Sequence, residues 1–196
     1  MKALLAAFCL VAVPLGVAAQ SCPTRADLAG GVQLVRDDPF FSVVFTAIPE
    51  GLAEARVMER DGRPQAVDTT YAHALAVATR RAGGGTLSVA YGEDPEILDT
   101  LPSLRSWSTD VSLTADGAPY ASGTYTATIT GFGAAEIGAC TYDVWRVRDV
   151  LDLDTGATIL FEKSYAPDLG LVVGSIRLDA AGQPTGSVFF DRIAAE

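Results

Sequence analysis

The sequence predicts an all-β fold, namely an antiparallel meander that forms a strongly curved sheet or half-barrel with one short helix. Apolar and polar residues alternate along most of the chain, as at Phe41, Val43 and Phe45, which places the apolar side chains on one face of a strand. Turn-forming pairs such as Asp116-Gly117 separate the alternating runs at short intervals. Short strands joined by such turns indicate consecutive antiparallel hairpins, with about ten strands in all.

The strands are expected where the alternation is clearest, and one segment leaves helix and strand both open. Residues 66–81 are rich in Ala, but Val67, Thr69 and Val77 favour a strand there. The alternating runs cover residues 41–47, 75–79, 87–91, 111–115, 125–129, 159–165, 176–178 and 188–193.

One stretch follows helical rules instead. Asp94 is a good N-cap and Pro95 suits the first helical position. Leu98 and Leu101 then fall on the same side of a helix. We expect a helix of one to two turns that Pro102 ends.

The first 19 residues have the pattern of a secretory signal peptide. Lys2 provides a positive start, an apolar run follows, and small residues precede a cleavage point after Ala19. The alternative is an N-terminal membrane anchor, but the run is short and Pro14 interrupts it. Residues 20–196 are therefore predicted to form a single antiparallel β domain with no integral membrane segment.

The charge balance restricts the partners of the exported chain. It has 14 basic and 24 acidic residues, a formal net charge of −10, and loss of Lys2 makes this one unit more negative. Phosphate backbones and anionic lipid surfaces would repel such a protein. Nucleic acid is thus not expected as a partner, and the composition suggests a periplasmic or secreted protein of a Gram-negative bacterium.

Two cysteines remain once the predicted signal peptide and its Cys9 are removed. In an exported chain, Cys22 and Cys140 are most simply a disulfide, which would be worth about 4–5 kcal/mol in the chain-entropy model. Two separate thiols are the alternative. A zinc site is disfavoured, because two cysteines and the single His73 do not fill a zinc shell. We expect neither a metal nor any other cofactor.

The segment Asp154-Thr155-Gly156 raises the question of an aspartic protease. It resembles the catalytic motif of retropepsin-like enzymes, which would place the catalytic carboxylate at Asp154. In that family the motif lies near the start of the domain, whereas only 42 residues follow Asp154 here. Gly156 also suits a hairpin loop that needs positive φ. We interpret the motif as a turn, and we expect no catalytic residue.

Two further motifs, a calcium-loop fragment and a possible catalytic histidine, are weaker still. Asp152 and Asp154 could begin a calcium loop, but its later acidic ligands are missing. His73 could serve a Ser-His-Asp site, but the chain has no Gly-x-Ser-x-Gly segment around a nucleophile. Solvated turn residues and a packed histidine are the interpretations that we favour.

Aromatic residues in the second half of the chain are the remaining candidates for a ligand site. Trp and Tyr combine apolar area with a polar tip, which suits a pocket wall or the edge of a core. Core packing is the favoured interpretation. The weak ligand-binding candidates are Trp107, Tyr142, Trp145 and Tyr165.

Two segments carry a resemblance to a known group of proteins. Residues 138–142, Gly-Ala-Cys-Thr-Tyr, and residues 165–172, Tyr-Ala-Pro-Asp-Leu-Gly-Leu-Val, resemble segments of uncharacterised secreted β-sheet proteins of proteobacteria. Some sheets of that kind are similar to the half-barrels of LolA- and LolB-type lipoprotein carriers. The resemblance implies a fold more than an activity.

These observations favour an exported, non-catalytic β-sheet protein. We expect its concave face to bind an apolar small molecule or an envelope partner. The alternative is an envelope-assembly or structural protein that acts through its sheet edge or acidic surface. A retropepsin-like hydrolase is the third and least favoured possibility.

Overall fold

The computed structural model describes residues 21–60 and 62–196, so the predicted signal peptide lies outside the described residues. This part of the chain forms thirteen strands, one short α-helix and two 3-10 helices. The 3-10 helices are Arg25–Ala29 and Pro95–Thr100, and helix α1 is Leu101–Leu104. The strands are β1 Val32–Arg36, β2 Phe41–Ile48, β3 Gly51–Arg60, β4 Arg63–His73, β5 Ala76–Ala82, β6 Gly85–Tyr91, β7 Ser106–Ala115, β8 Ala118–Ile137, β9 Cys140–Leu153, β10 Thr158–Ala166, β11 Leu171–Leu178, β12 Pro184–Phe189 and β13 Arg192–Ala195.

All thirteen strands of the described chain belong to one antiparallel sheet. Strands β1 to β12 lie side by side in chain order, and β13 returns to pair with β1. Strands β12 and β13 follow each other in sequence but lie at opposite edges of the sheet, so the sheet must curve until these edges approach. The Asp191 amide donates to the Val35 carbonyl and Arg36 donates to the Ser187 carbonyl across this approach. The all-β curved sheet predicted from the sequence is confirmed.

The strand count was predicted too low. Strands β1 and β3 were missed, and residues 188–193 form parts of two strands instead of one. Strand β3 lacks the usual alternation because two of its inward-facing residues, Glu54 and Arg56, are charged. Polarity therefore does not distinguish its buried face from its exposed face. The ambiguous residues 66–81 lie in β4 and β5, as their β-branched residues indicated.

The predicted end of the helix at Pro102 was wrong. Asp94 does cap the segment, since its side chain accepts a hydrogen bond from the Glu96 amide. The 3-10 helix Pro95–Thr100 then continues directly into α1, in which Pro102 occupies the first turn. Proline is tolerated there because the amide of that position has no intrahelical partner to lose.

Two hydrophobic cores lie on opposite faces of the long β8–β9 hairpin. A bulge in β8 between Ile129 and Gly131 moves the odd-numbered residues after it to the other face of the strand. Side chains at the base of the hairpin therefore pack in one core, and those at its tip pack in the other. The first core contains Leu28, Val32, Leu34, Phe41, Val43, Phe45, Leu52, Ile137, Cys140, Tyr142, Val144, Ala166, Leu169, Leu171, Val173 and Ile193. The second core contains Leu75, Ala76, Leu98, Leu101, Trp107, Val111, Leu113, Tyr125, Ala127, Ile129, Val147 and Tyr165.

The N-terminal segment is fastened to the first core. The predicted disulfide between Cys22 and Cys140 is present, with 5.5 Å between the two Cα atoms. The Tyr142 hydroxyl donates to the Pro23 carbonyl at 3.0 Å, and the Arg25 amide donates to the Asp168 carbonyl at 3.0 Å. These contacts hold the first 3-10 helix beside the turn between β10 and β11.

Candidate functional site

Asp154 lies in the turn of the β9–β10 hairpin. Asp152 pairs with Thr158 at the end of the hairpin ladder, and Gly156 has φ of 83°. The Asp154 carboxylate accepts hydrogen bonds from the amide and the hydroxyl of Ser122. These bonds lower the pKa of Asp154 below its usual range. The hairpin is therefore confirmed, and Asp154 ties its turn to β8.

The calcium-loop fragment is likewise engaged locally. Asp152 accepts a hydrogen bond from the Thr158 hydroxyl at 2.6 Å, across the hairpin. Within the described residues, no three His, Cys, Asp or Glu side chains come together in a way that could hold a metal ion.

The four aromatic candidates do not converge on one site. Trp107 belongs to the second core, where its indole N–H donates to Glu93 at 2.9 Å. Tyr142 belongs to the first core. Trp145 and Tyr165 do meet, with ring centroids 5.2 Å apart in an edge-to-face arrangement. Of the four, Tyr165 alone lines the cavity described next.

A cavity of about 210 Å³ lies where the N-terminal 3-10 helix, the β2–β3 turn, the end of β4 and the end of β10 meet. Gly51 permits the close approach of the turn, because a Cβ atom there would lie 2.2 Å from the Tyr71 carbonyl oxygen. The lining residues are Arg25, Leu28, Ala47, Gly51, Leu52, Ala72, His73, Ala74, Asp99, Tyr165 and Gly170.

His73 is a largely buried polar side chain of this cavity, with 9% of the side chain exposed. Its Nδ1 accepts the Leu75 amide at 3.2 Å, so the proton of the neutral ring lies on Nε2. Nε2 is 3.5 Å from Asp99 Oδ1, a contact too long for a well-formed hydrogen bond. Burial lowers the pKa of His73, although the nearby Asp99 acts in the opposite direction. His73 is thus a neutral ring that presents a buried, unsatisfied N–H group.

Opposite charges lie beside His73 at the cavity. The Arg25 guanidinium donates to the Tyr165 hydroxyl at 3.1 Å and to the Pro167 carbonyl at 3.0 Å. It also lies 3.8 Å from Asp99, and both of these side chains are about half exposed, at 53% and 51%. Burial raises the pKa of Tyr165 to about 12, so its hydroxyl stays protonated at neutral pH.

The polar groups of the cavity determine the chemistry that it can offer. The His73 lone pair is occupied by a backbone amide, so the ring cannot accept a proton without losing that hydrogen bond. Ser, Thr and Cys are absent from the described lining of the cavity. The cavity offers a guanidinium from Arg25, a carboxylate from Asp99, and the polar hydrogens of the His73 and Tyr165 side chains, beside an apolar wall.

Little in the sequence points to this site. The sequence favours a packed His73 and predicts no role for Arg25 or Asp99. They are separated by 74 residues in the chain and meet through the approach of two 3-10 helices. The signal that could have drawn attention is the single histidine at the end of a strand.

A buried ion pair lies deeper in the second core. Lys163 donates to Asp149 and, at 3.3 Å, to the Leu75 carbonyl. The Tyr125 hydroxyl donates to the same carbonyl at 2.9 Å. Burial raises the pKa of Asp149, while the charge of Lys163 acts to lower it. This cluster holds Leu75 in the connection between β4 and β5, and the Leu75 amide in turn holds the His73 ring.

A second buried carboxylate lies beside the first core. Glu54 has 1% of its side chain exposed, pairs with Arg56 and accepts the Tyr71 hydroxyl. Burial and the charge of Glu54 raise the pKa of Tyr71. All three residues lie on the adjacent strands β3 and β4.

Comparison with known proteins adds one fold likeness. No protein-family model matches the sequence, and a search of curated proteins returns no match. Among solved structures, the chain is similar to a hypothetical lipoprotein, YmcC from Escherichia coli K12, with 14% sequence identity and a TM-score of 0.44. The match covers 76% of each chain. No LolA- or LolB-type carrier supports the resemblance seen in the sequence, which stays a prediction.

The described chain has no helix of the length and apolar character needed to cross a membrane.

Proposed function

We propose that the protein is an exported, non-catalytic binding protein whose ligand enters the cavity beside His73. The observation that carries this proposal is the buried Nε2–H of His73, which has no hydrogen-bond partner in the described structure. A buried donor left unsatisfied costs about 1–3 kcal/mol, so a polar ligand that accepts this hydrogen would recover that free energy.

The character of the cavity favours a polar ligand over the apolar one expected from the sequence. Sites for drug-sized apolar ligands measure roughly 300–1,000 Å³ and are lined mainly by hydrophobic side chains. This cavity measures about 210 Å³ and has Arg25, His73, Asp99 and Tyr165 in its wall. The two cores, on opposite faces of the β8–β9 hairpin, are filled by side chains of the chain itself. A small polar molecule is the ligand that we propose.

An extracytoplasmic location is part of the proposal. Disulfides persist in oxidising compartments, and the Cys22–Cys140 bond joins segments 118 residues apart. The signal-peptide pattern of residues 1–19 supports the same location.

Native mass spectrometry of protein exported to a bacterial periplasm tests the proposal. We expect extra mass of a small molecule in the native spectrum that disappears on denaturation. Arg25→Gln should reduce the bound fraction. Arg192→Gln is the matched control, because it removes a similar exposed arginine paired with Asp37 away from the cavity. Bound mass that both variants retain equally would refute the assignment to this cavity.

A second candidate function is partner binding through the edge strand β12. The strand pairs with β11 on one side, and its six residues, Pro-Thr-Gly-Ser-Val-Phe, carry no charge, although the Ser187 carbonyl already accepts a hydrogen bond from Arg36. Edge strands without charged side chains are templates for strand addition by another chain. This favours the envelope-assembly alternative, with an extended segment of a partner as the occupant.

A charge placed on this edge tests the second candidate. Thr185→Lys should abolish recovery of a stoichiometric partner from the periplasm. Ser108→Lys adds the same charge to the exposed face of the interior strand β7 and should leave recovery unchanged. Equal recovery with both variants would exclude β12 as the docking edge.

A further inference from the structure

The cavity beside His73 presents two charged recognition elements of opposite sign. Arg25 and Asp99 face each other at 3.8 Å and remain half exposed, so each can exchange this loose contact for a ligand. A ligand of a single charge would satisfy one of them and crowd the other. A ligand that carries both charges would satisfy both.

The donors of the cavity suit a carboxylate. The contacts of Arg25 within the described structure run through Nη2, which leaves the Nη1 hydrogens to bind a ligand. The Nε2–H of His73 is a second donor, buried and without a hydrogen-bond partner. A carboxylate has two oxygens and accepts such charge-assisted hydrogen bonds strongly.

The acceptor of the cavity suits an ammonium group. Asp99 Oδ1 is the atom that approaches both Arg25 and His73, and neither approach is shorter than 3.5 Å. A primary ammonium has three donors and can approach a carboxylate more closely than these contacts do. The acidic and basic sites are therefore adjacent, as the two charges of an α-amino acid are.

The size and the apolar wall limit the rest of the ligand. The cavity measures about 210 Å³, and Leu28, Ala47, Leu52 and Ala74 form part of its lining. A molecule of liquid water occupies about 30 Å³, so the space corresponds to roughly seven such volumes. A short aliphatic side chain fits this description.

From these features we infer that the cavity binds a free α-amino acid with a small aliphatic side chain. Arg25 and His73 hold the carboxylate, and Asp99 holds the ammonium. This inference rests on the proposed binding function and names its ligand class.

Calorimetric titration of the mature protein with leucine and two analogues tests the inference. The analogues are 4-methylpentanoate, which lacks the ammonium, and 3-methylbutylamine, which lacks the carboxylate. We expect leucine to bind at least tenfold more tightly than either analogue, since each loses one charge-assisted contact. Asp99→Asn should weaken leucine binding tenfold and should not weaken 4-methylpentanoate binding, because it also removes a charge that repels this anion. Asp37→Asn, in a surface pair away from the cavity, is the control and should bind leucine as the unmodified protein does.

Three outcomes would overturn the inference, and they differ in what they say of the proposed function. Equal binding of leucine and 4-methylpentanoate would mean an anion site, and the binding function would stand. Leucine binding that neither Arg25→Gln nor Asp99→Asn weakens would place the ligand elsewhere. If none of the three compounds binds, the ligand class is wrong, and the native mass spectrum of the exported protein decides separately whether the cavity binds anything.

Discussion

The two cores of the sheet are stabilised by different kinds of long-range link. The first core is closed covalently, because the Cys22–Cys140 bond joins the N-terminal segment to β9 across 118 residues. In the second core, the long-range link consists of hydrogen bonds to a single backbone carbonyl, that of Leu75. Lys163 and Tyr125 both donate to Leu75, across 88 and 50 residues respectively.

This difference has a physical consequence for the meander. In this sheet, backbone pairing joins neighbours in sequence everywhere except at β1 and β13, so the other distant strands need another link. The disulfide supplies this link where the chain end meets the sheet. The buried charges supply it where the β4–β5 connection lies against β8 and β10. Removal of one partner of a buried ion pair is strongly destabilising, because the other charge stays buried without compensation. The two links should therefore fail in distinguishable ways.

Removal of the disulfide should have the largest effect. The double variant Cys22→Ser/Cys140→Ser should lose about 5 kcal/mol of unfolding free energy, because the unfolded chain regains the entropy of a 118-residue loop. Urea unfolding measures the loss. Amide hydrogen exchange should increase more in β1 and β13 than in β7. Equal increases in both places would show that the two cores do not respond separately.

Breaking the buried ion pair should come next. Lys163→Met leaves Asp149 buried without a cation and should cost about 3 kcal/mol, near the low end for such pairs because Asp149 has a raised pKa and can become neutral by protonation. Urea unfolding again measures the change. Arg148→Met is the control, since its pair with Glu162 is well exposed and should contribute less than about 1 kcal/mol. Similar losses for the two variants would remove the distinction between the cores.

The prediction from sequence succeeded where a local pattern determines the structure. Alternation placed β2, the second half of β7 and the centre of β8 correctly, since inward positions such as Val43 and Val111 are apolar. It failed for β3, where Glu54 and Arg56 face inward as an ion pair. The disulfide could be predicted because only two cysteines follow the predicted signal peptide.

The candidate site could not be predicted for a different reason. Arg25, His73, Asp99 and Tyr165 come from four separate segments, and their meeting depends on how far the sheet curves. A one-dimensional pattern carries the periodicity of a strand but not the curvature of the whole sheet. The four aromatic residues that the sequence suggested lie in two different cores, and of these four only Tyr165 lines the cavity.

His73, between the two cores, should give stability a dependence on mildly acidic pH. Its folded pKa is lowered by burial, so the unfolded chain takes up a proton first as the pH falls through about 6.5. Stability should be complete above that value and should decrease below it until the folded pKa is reached. Melting temperatures between pH 5 and pH 8 measure this slope. His73→Gln should flatten it, and an unchanged slope would assign the dependence to other groups.

The smallest effect is expected at Asp154, which belongs to neither core. Asp154→Asn should keep the fold, since the amide oxygen can still accept from Ser122 and the group lies at an exposed turn. The melting temperature and the monomer mass should match those of Asp152→Asn, its neighbour in the same hairpin. An aspartic protease needs two carboxylates that share a proton, and a short chain must pair with a second copy to supply them. Peptide cleavage by a dimer that Asp154→Asn abolishes, and Asp152→Asn does not, would therefore contradict both the turn interpretation and the proposal of a binding protein.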